Sequence, residues 1–109
     1  DTFCSYTQVS RETITSLKKY EELLIMSNKN LNLIGNSTIN KIWNRHFLDS
    51  FQVIDFIDES DKTLVDIGSG AGFPGLIVSI MAKDRKFPLK IKLIEKSPKR
   101  IIFLKKIIN

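Results

Sequence analysis

Leu64-Val-Asp-Ile-Gly-Ser-Gly-Ala-Gly-Phe-Pro-Gly75, followed by Leu76-Ile-Val-Ser-Ile-Met-Ala82, decides the fold of this 109-residue chain. The β-branched run Thr63–Ile67 reads as a strand, the glycine-dense stretch as a tight turn, and the apolar run after it as a helix. Strand, glycine turn and helix in that order form a nucleotide-cofactor loop. Glycines reach φ > 0 and let a ligand approach with no Cβ in the way. The start of the helix is expected to offer N–H groups to polar ligand atoms.

Two cofactor classes compete for this loop. Gly70-Ala-Gly-Phe-Pro-Gly75 satisfies G-x-G-x-x-G, the dinucleotide fingerprint, which is a weak signal alone. Gly68-Ser-Gly-Ala-Gly72 also satisfies G-x-G-x-G, and Asp66 stands two residues before the first glycine. A carboxylate at the strand end suits a cationic ligand better than a pyrophosphate. S-adenosylmethionine carries a sulfonium and an ammonium and no phosphate. Pro74 weighs the same way, because it removes one N–H from the helix start. S-adenosylmethionine is therefore favoured over a nicotinamide or flavin dinucleotide, with a ligand-free turn as the third reading. Asp66 has two roles open to it, holding the methionine end of the cofactor or orienting the loop through its N–H groups. Phe73 is placed to pack on the cofactor or to join the core. Ser69 and Ala71 are small spacers in the turn.

Downstream, Asp84-Arg-Lys-Phe-Pro88 is a connection and Lys90-Ile-Lys-Leu-Ile94 a second strand. Glu95 ends that strand, 27 residues after Gly68. In doubly wound folds an acid about 20 residues past the glycine loop accepts hydrogen bonds from ribose hydroxyls, so Glu95 is the ribose candidate. Ser97-Pro98 then opens a third helix with proline at its first position. That helix carries Lys99, Arg100, Lys105 and Lys106.

Upstream, residues 1–9 carry no pattern. Ser10 is expected to cap a helix to about Ser27, with Ile14, Leu17, Tyr20 and Leu24 on one face. Asn28–Asn36 reads as a loop, and Ser37 as the cap of a second helix reaching about Ile57. Ile39, Ile42, Trp43, Phe47, Phe51 and Ile54 follow helical spacing and read as core. The single histidine, His46, lies on that helix between Arg45 and Asp49, two residues at the spacing of a surface pair. The pattern alone makes His46 structural. The expected organisation is a helical N-terminal cap over residues 1–60, then the first β-α-β-α unit of a cofactor domain over 61–109.

Length allows at most one domain, and a doubly wound sheet needs about five to seven strands. With two strands legible, the chain is expected to be the N-terminal part of a longer protein. A two-stranded sheet is marginal on its own, and such a fragment is expected to be inactive. No run is long enough to cross a membrane, and no secretory signal is visible. Cys4 is the only cysteine, so no intrachain disulfide forms, in keeping with a reducing cytoplasm. One histidine with no Cys/His cluster argues against a metal site. Seventeen Lys and Arg against 12 Asp and Glu give a net charge of +5, which favours a polyanionic partner such as RNA. No nucleophilic Ser or Cys elbow is present, which fits methyl transfer. That reaction needs a nucleophile held in line with the methyl rather than a covalent enzyme intermediate.

Asn30-Leu-Asn-Leu-Ile34, Arg45-His-Phe-Leu-Asp-Ser50, the Leu64–Gly75 loop and Ser97-Pro-Lys-Arg-Ile-Ile-Phe-Leu104 stand together in one order. In that order they resemble the bacterial 16S rRNA guanine-N7 methyltransferases, also called the glucose-inhibited division protein B family. The resemblance implies an α/β, Rossmann-like class I methyltransferase with a helical cap. It also implies S-adenosylmethionine as cofactor, 16S ribosomal RNA or the small ribosomal subunit as partner, and a cytoplasmic monomer. Gly68 and Phe73 fall on the family's cofactor contacts, and Gly70, Gly72 and Glu95 fit the same pocket. Arg45, His46 and Asp49 match a family motif beside the active cleft and are the catalytic candidates. The family usually has Asp where this chain has Glu95. A NAD(P)-dependent oxidoreductase and a non-catalytic ribosome-binding module are the rival readings.

Overall fold

A computed structural model describes residues 9–58 and 60–108; Cys4 lies outside them. Helix α1 spans Arg11–Leu31. Ser10 caps it as expected, its hydroxyl accepting the Thr13 N–H at 3.2 Å. The helix runs one turn beyond Ser27, and its left-handed cap is Asn32, at φ 45°. The expected asparagine loop starts late because Asn28 is buried inside the helix, where its side-chain carbonyl accepts the Ile34 N–H at 2.9 Å. An asparagine read as a turn former thus shapes the turn from within the helix.

The second helix is not one helix. It is a 3-10 segment, Asn36–Lys41, a π-helical turn, Ile42–Phe47, a single α-turn, α2, Leu48–Phe51, and a further 3-10 segment, Gln52–Phe56. Ser37 lies inside the first of these and is not its cap; Gly35 holds that position. The Thr38 hydroxyl donates to the Gly35 carbonyl at 2.8 Å, a local bond that competes with the α-ladder. The expected core residues still point inward. Ile42, Phe47, Phe51 and Ile54 are buried, and Ile39 and Trp43 pack against them half-buried.

Strands β1, Thr63–Ile67, and β2, Lys90–Ile94, form a parallel pair, with Asp66 opposite Leu93 and Ile67 opposite Ile94. Between them runs α3, Gly75–Asp84, and after them α4, Pro98–Ile108, with proline at its first position. The strands alternate in exposure. Leu64, Asp66, Ile91 and Leu93 form the more protected face, and Gly75 of α3 lies close to Asp66 and Leu93. The opposite face exposes Val65, Ile67 and Ile94.

Helix α1 packs against both α3 and α4. Leu17, Tyr20 and Leu24 join Ile77, Val78, Met81, Phe103 and Leu104 in one continuous core. Each large apolar side chain buried there contributes about 1.5–3 kcal/mol. Polar bonds fix the same packing at one end. Asp84, at the end of α3, accepts the Thr13 hydroxyl at 2.6 Å and the Ser10 N–H at 3.1 Å.

Candidate functional site

The glycine turn sits at the C-terminal ends of both strands and is held from three sides. From β1, Asp66 Oδ2 accepts the Gly75 N–H at 3.0 Å, so a carboxylate caps the start of α3. From β2, Glu95 Oε1 accepts the Gly70 N–H at 2.8 Å and Oε2 the Ser97 N–H at 2.9 Å. The Ile94 carbonyl accepts from Gly68 and Ser69. From α1, the Tyr20 hydroxyl donates to the Ala71 carbonyl. Within the turn, the Ser69 hydroxyl bonds the Asp66 carbonyl and the Gly72 N–H bonds the Ser69 carbonyl.

Gly68, Gly70 and Gly72 have φ of +74°, +53° and +98°. Two of them show different reasons for being glycine. A Cβ at Gly68 would meet nothing within 4 Å, whereas one at Gly72 would lie 2.3 Å from the Tyr20 hydroxyl oxygen and 2.6 Å from Leu76 Cδ1. The turn is therefore packed on its inner side and open, backbone only, on its outer side. Glu95 bonds the Gly70 N–H, and Asp66 lies inward, against Gly75 of α3.

Of the two roles weighed for Asp66, its hydrogen bond is the loop-orienting one. That bond also changes the expected donor set. The Gly75 N–H is taken by Asp66 and the Leu76 N–H by the Gly72 carbonyl, so the helix start does not present them to a ligand. Glu95 is held below the usual carboxylate range, first by the Ser97 N–H and then by the Gly70 N–H. It stays ionised at neutral pH, and each of its oxygens keeps a second acceptor site.

Phe73 is half-buried and stacks on His46, with centroids 4.9 Å apart and planes 8° from parallel. It also stacks with Tyr20 at 5.7 Å and lies against Phe47 at 5.9 Å. His46 Nε2 is 2.9 Å from the Thr38 hydroxyl oxygen, whose hydrogen points to Gly35. With the Thr38 hydroxyl donating to Gly35, Nε2 is assigned as the donor to Thr38. His46 is pushed below the ordinary histidine range by burial first and by Arg45 second, with Asp49 opposing. Arg45 and Asp49 are exposed, and among the described residues no hydrogen bond joins either to the turn. The structure thus brings Asp66, the glycines, Phe73, Glu95 and His46 together, and leaves Arg45 and Asp49 exposed with no bond to the turn among the described residues.

Tyr20 was legible only as a core position on an amphipathic helix. Nothing in its local sequence signals a partner 51 residues away. A cavity of about 860 Å³ lies elsewhere, between Ser10, Thr13, Asp84 and Ile107, and the Asp84 carboxylate there is already bonded to Thr13 and Ser10. Among the described residues no group of three or more His, Cys, Asp or Glu is gathered for a metal, and no helix is long and apolar enough to cross a membrane.

The profile of one family, rRNA small subunit methyltransferase G, matches residues 13–109. Proteins named ribosomal RNA small subunit methyltransferase G are similar along most of the chain. The one from Rickettsia akari is 44% identical over 99 residues, covering 91% of this chain and 49% of its own length. The one from Parvibaculum lavamentivorans is 36% identical over 107 residues, covering 98% and 47%. The one from Rhodospirillum centenum is 41% identical over 99 residues, covering 91% and 44%. The chain spans about half the length of the curated relatives it matches.

Proposed function

The chain belongs to the rRNA small subunit methyltransferase G family, and on that premise we propose that its protein uses S-adenosylmethionine to methylate N7 of a guanine in 16S ribosomal RNA. The observation that carries the cofactor choice is the Asp66 carboxylate on the Gly75 N–H. A dinucleotide pyrophosphate at this helix start would meet a carboxylate and find the donor already taken. A cationic ligand meets a complementary charge. The open turn at Gly68 and Gly70, with Glu95 bonded to Gly70, suits a ligand with an ammonium, a sulfonium and ribose hydroxyls.

S-adenosylmethionine, when bound, supplies an electrophilic methyl group. The residues of this chain do the holding. Gly68 and Gly70 give a surface free of side chains, Gly72 lets the turn pack on Tyr20, and Asp66 keeps the turn in register with α3. Glu95 offers its spare lone pairs to ribose hydroxyls, and Phe73 gives an apolar wall. Guanine N7 has an in-plane lone pair, so no proton leaves before attack and no general base is required. The base becomes cationic on methylation, and carboxylates near the cleft stabilise that charge. N7 faces the deep A-form major groove, so a loop or splayed-out guanine is the accessible substrate. Arg45, exposed and next to His46 in sequence, is suited to phosphate contact.

We assign the fold to the Rossmann-like class I methyltransferases, with residues 1–60 as helical cap and 61–109 opening the cofactor domain. The bare apolar face at Val65, Ile67 and Ile94, and a sheet of two strands among the described residues, support further elements covering this one. A ribosomal RNA substrate implies a cytoplasmic setting. The test is calorimetric titration of the full-length protein with S-adenosylhomocysteine, with NAD as control. Mass spectrometry of digested 16S RNA then looks for N7-methylguanosine. Binding of S-adenosylhomocysteine alone, with the modified base, supports the reading. NAD binding would replace it with the oxidoreductase, and RNA binding with neither ligand would leave a ribosome-binding module.

A further inference from the structure

We propose that Tyr20 is a positioning residue of the cofactor loop, making α1 part of the cofactor site as well as of the cap. The inference rests on the cofactor reading above. Tyr20 is 1% exposed. Its hydroxyl donates to the Ala71 carbonyl, its oxygen fills the space a Gly72 side chain would need, and its ring stacks with Phe73. Three consecutive residues of the turn, Ala71, Gly72 and Phe73, therefore rest on one side chain from a helix 51 residues upstream.

The turn needs such support. Its glycines sit at positive φ, a region glycine enters easily and leaves as easily. The open side must stay bare for a ligand, so order has to come from within. Glu95 grips the Gly70 N–H, and Tyr20 grips the carbonyl of the next residue. Burial first, and the nearby Asp66 charge second, push ionisation of the phenol far above its usual range. Tyr20 is thus a fixed donor at every pH the protein meets. Core packing would be served as well by phenylalanine; the hydroxyl aimed at the loop is what packing leaves unexplained.

The test is Tyr20→Phe in the full-length protein, which keeps the ring and removes one hydrogen bond. A turn carbonyl left without its donor is expected to raise the Kd for S-adenosylhomocysteine about tenfold. Affinity for a 16S RNA fragment should stay within twofold. Amide exchange should quicken at Gly70, Ala71 and Gly72 and not at Leu64–Ile67. A lowered denaturation midpoint with unchanged Kd and unchanged loop exchange would make Tyr20 a core residue only and overturn the proposal. If the unmutated protein does not bind S-adenosylhomocysteine, the cofactor reading fails on its own. Loop exchange then still decides whether Tyr20 orders the turn.

Discussion

Replacing Gly68 and Gly72 by alanine separates the two faces of the turn. At Gly68, φ is +74° and nothing lies within 4 Å of a new methyl group. The cost is backbone strain alone, about 1–2 kcal/mol. At Gly72, φ is +98°, and the methyl group would fall 2.3 Å from the Tyr20 oxygen and 2.6 Å from Leu76 Cδ1. Both neighbours are buried, so neither swings away freely. Overpacking adds about 1–3 kcal/mol to a similar strain, for a total of about 2–5 kcal/mol. That is a large part of the roughly 5–15 kcal/mol that holds a domain together. Ligand affinity should run the other way once stability is accounted for. Gly68→Ala folds and puts a methyl group on the open face, so it should weaken S-adenosylhomocysteine binding at least tenfold at temperatures where the protein is fully folded. Urea denaturation of the full-length proteins and calorimetry on the folded variants measure the two quantities. Equal destabilisation by the two variants, or unaltered affinity in Gly68→Ala, would refute the inside-packed, outside-open turn.

Glu95→Ala should weaken S-adenosylhomocysteine binding about tenfold, and Glu95→Asp should keep it within threefold, as read by calorimetry; equal losses would mean that the longer side chain is itself required. His46, held below its ordinary range, adds stability that is full above about pH 6.5, its unfolded value, and that is lost as pH falls toward the folded value. His46→Phe keeps the stack on Phe73 and removes the titration, so urea midpoints between pH 7.5 and 5.5 should fall less in the variant; parallel profiles would remove His46 from the pH response. Asp84, held low chiefly by the Thr13 hydroxyl, contributes stability above its unfolded value of 3.8 that is lost as pH falls through the folded one. Thr13→Val should therefore be destabilising near neutrality and converge on the unmutated protein toward pH 3, and a constant gap would show that the bond to Asp84 is not the cause.

What was legible in the sequence was whatever local chemistry determines. Thr63–Ile67 and Lys90–Ile94 were read to the residue, because β-branched runs end at a glycine turn in one case and at Glu95 before Ser97-Pro98 in the other. Ser10 and Pro98 acted as helix starts where their side chains suit those positions. Where tertiary contacts decide, the sequence was silent or misleading. The broken path from Asn36 to Phe56 keeps helical spacing in its apolar residues, so nothing in the pattern reveals that Thr38 bonds Gly35 and divides it. Asp66 was legible as a carboxylate beside the turn, but the choice of its partner, the Gly75 N–H, depends on how α3 folds back over β1. Phe73 and His46 are 27 residues apart, and no spacing rule brings their rings parallel.

Two bonds that join α1 to the glycine turn and α3 span long stretches of chain, 51 residues from Tyr20 to Ala71 and 71 from Thr13 to Asp84. Contacts of such separation cost loop-closure entropy before they return any stabilisation. The strands and α3 can assemble from neighbours in sequence, but the turn acquires its inner support only when α1 docks. Order in the turn is thus tied to the docking of α1. A ligand that selects the ordered turn would favour the docked state by mass action, and so would raise the share of molecules in which α1 is docked.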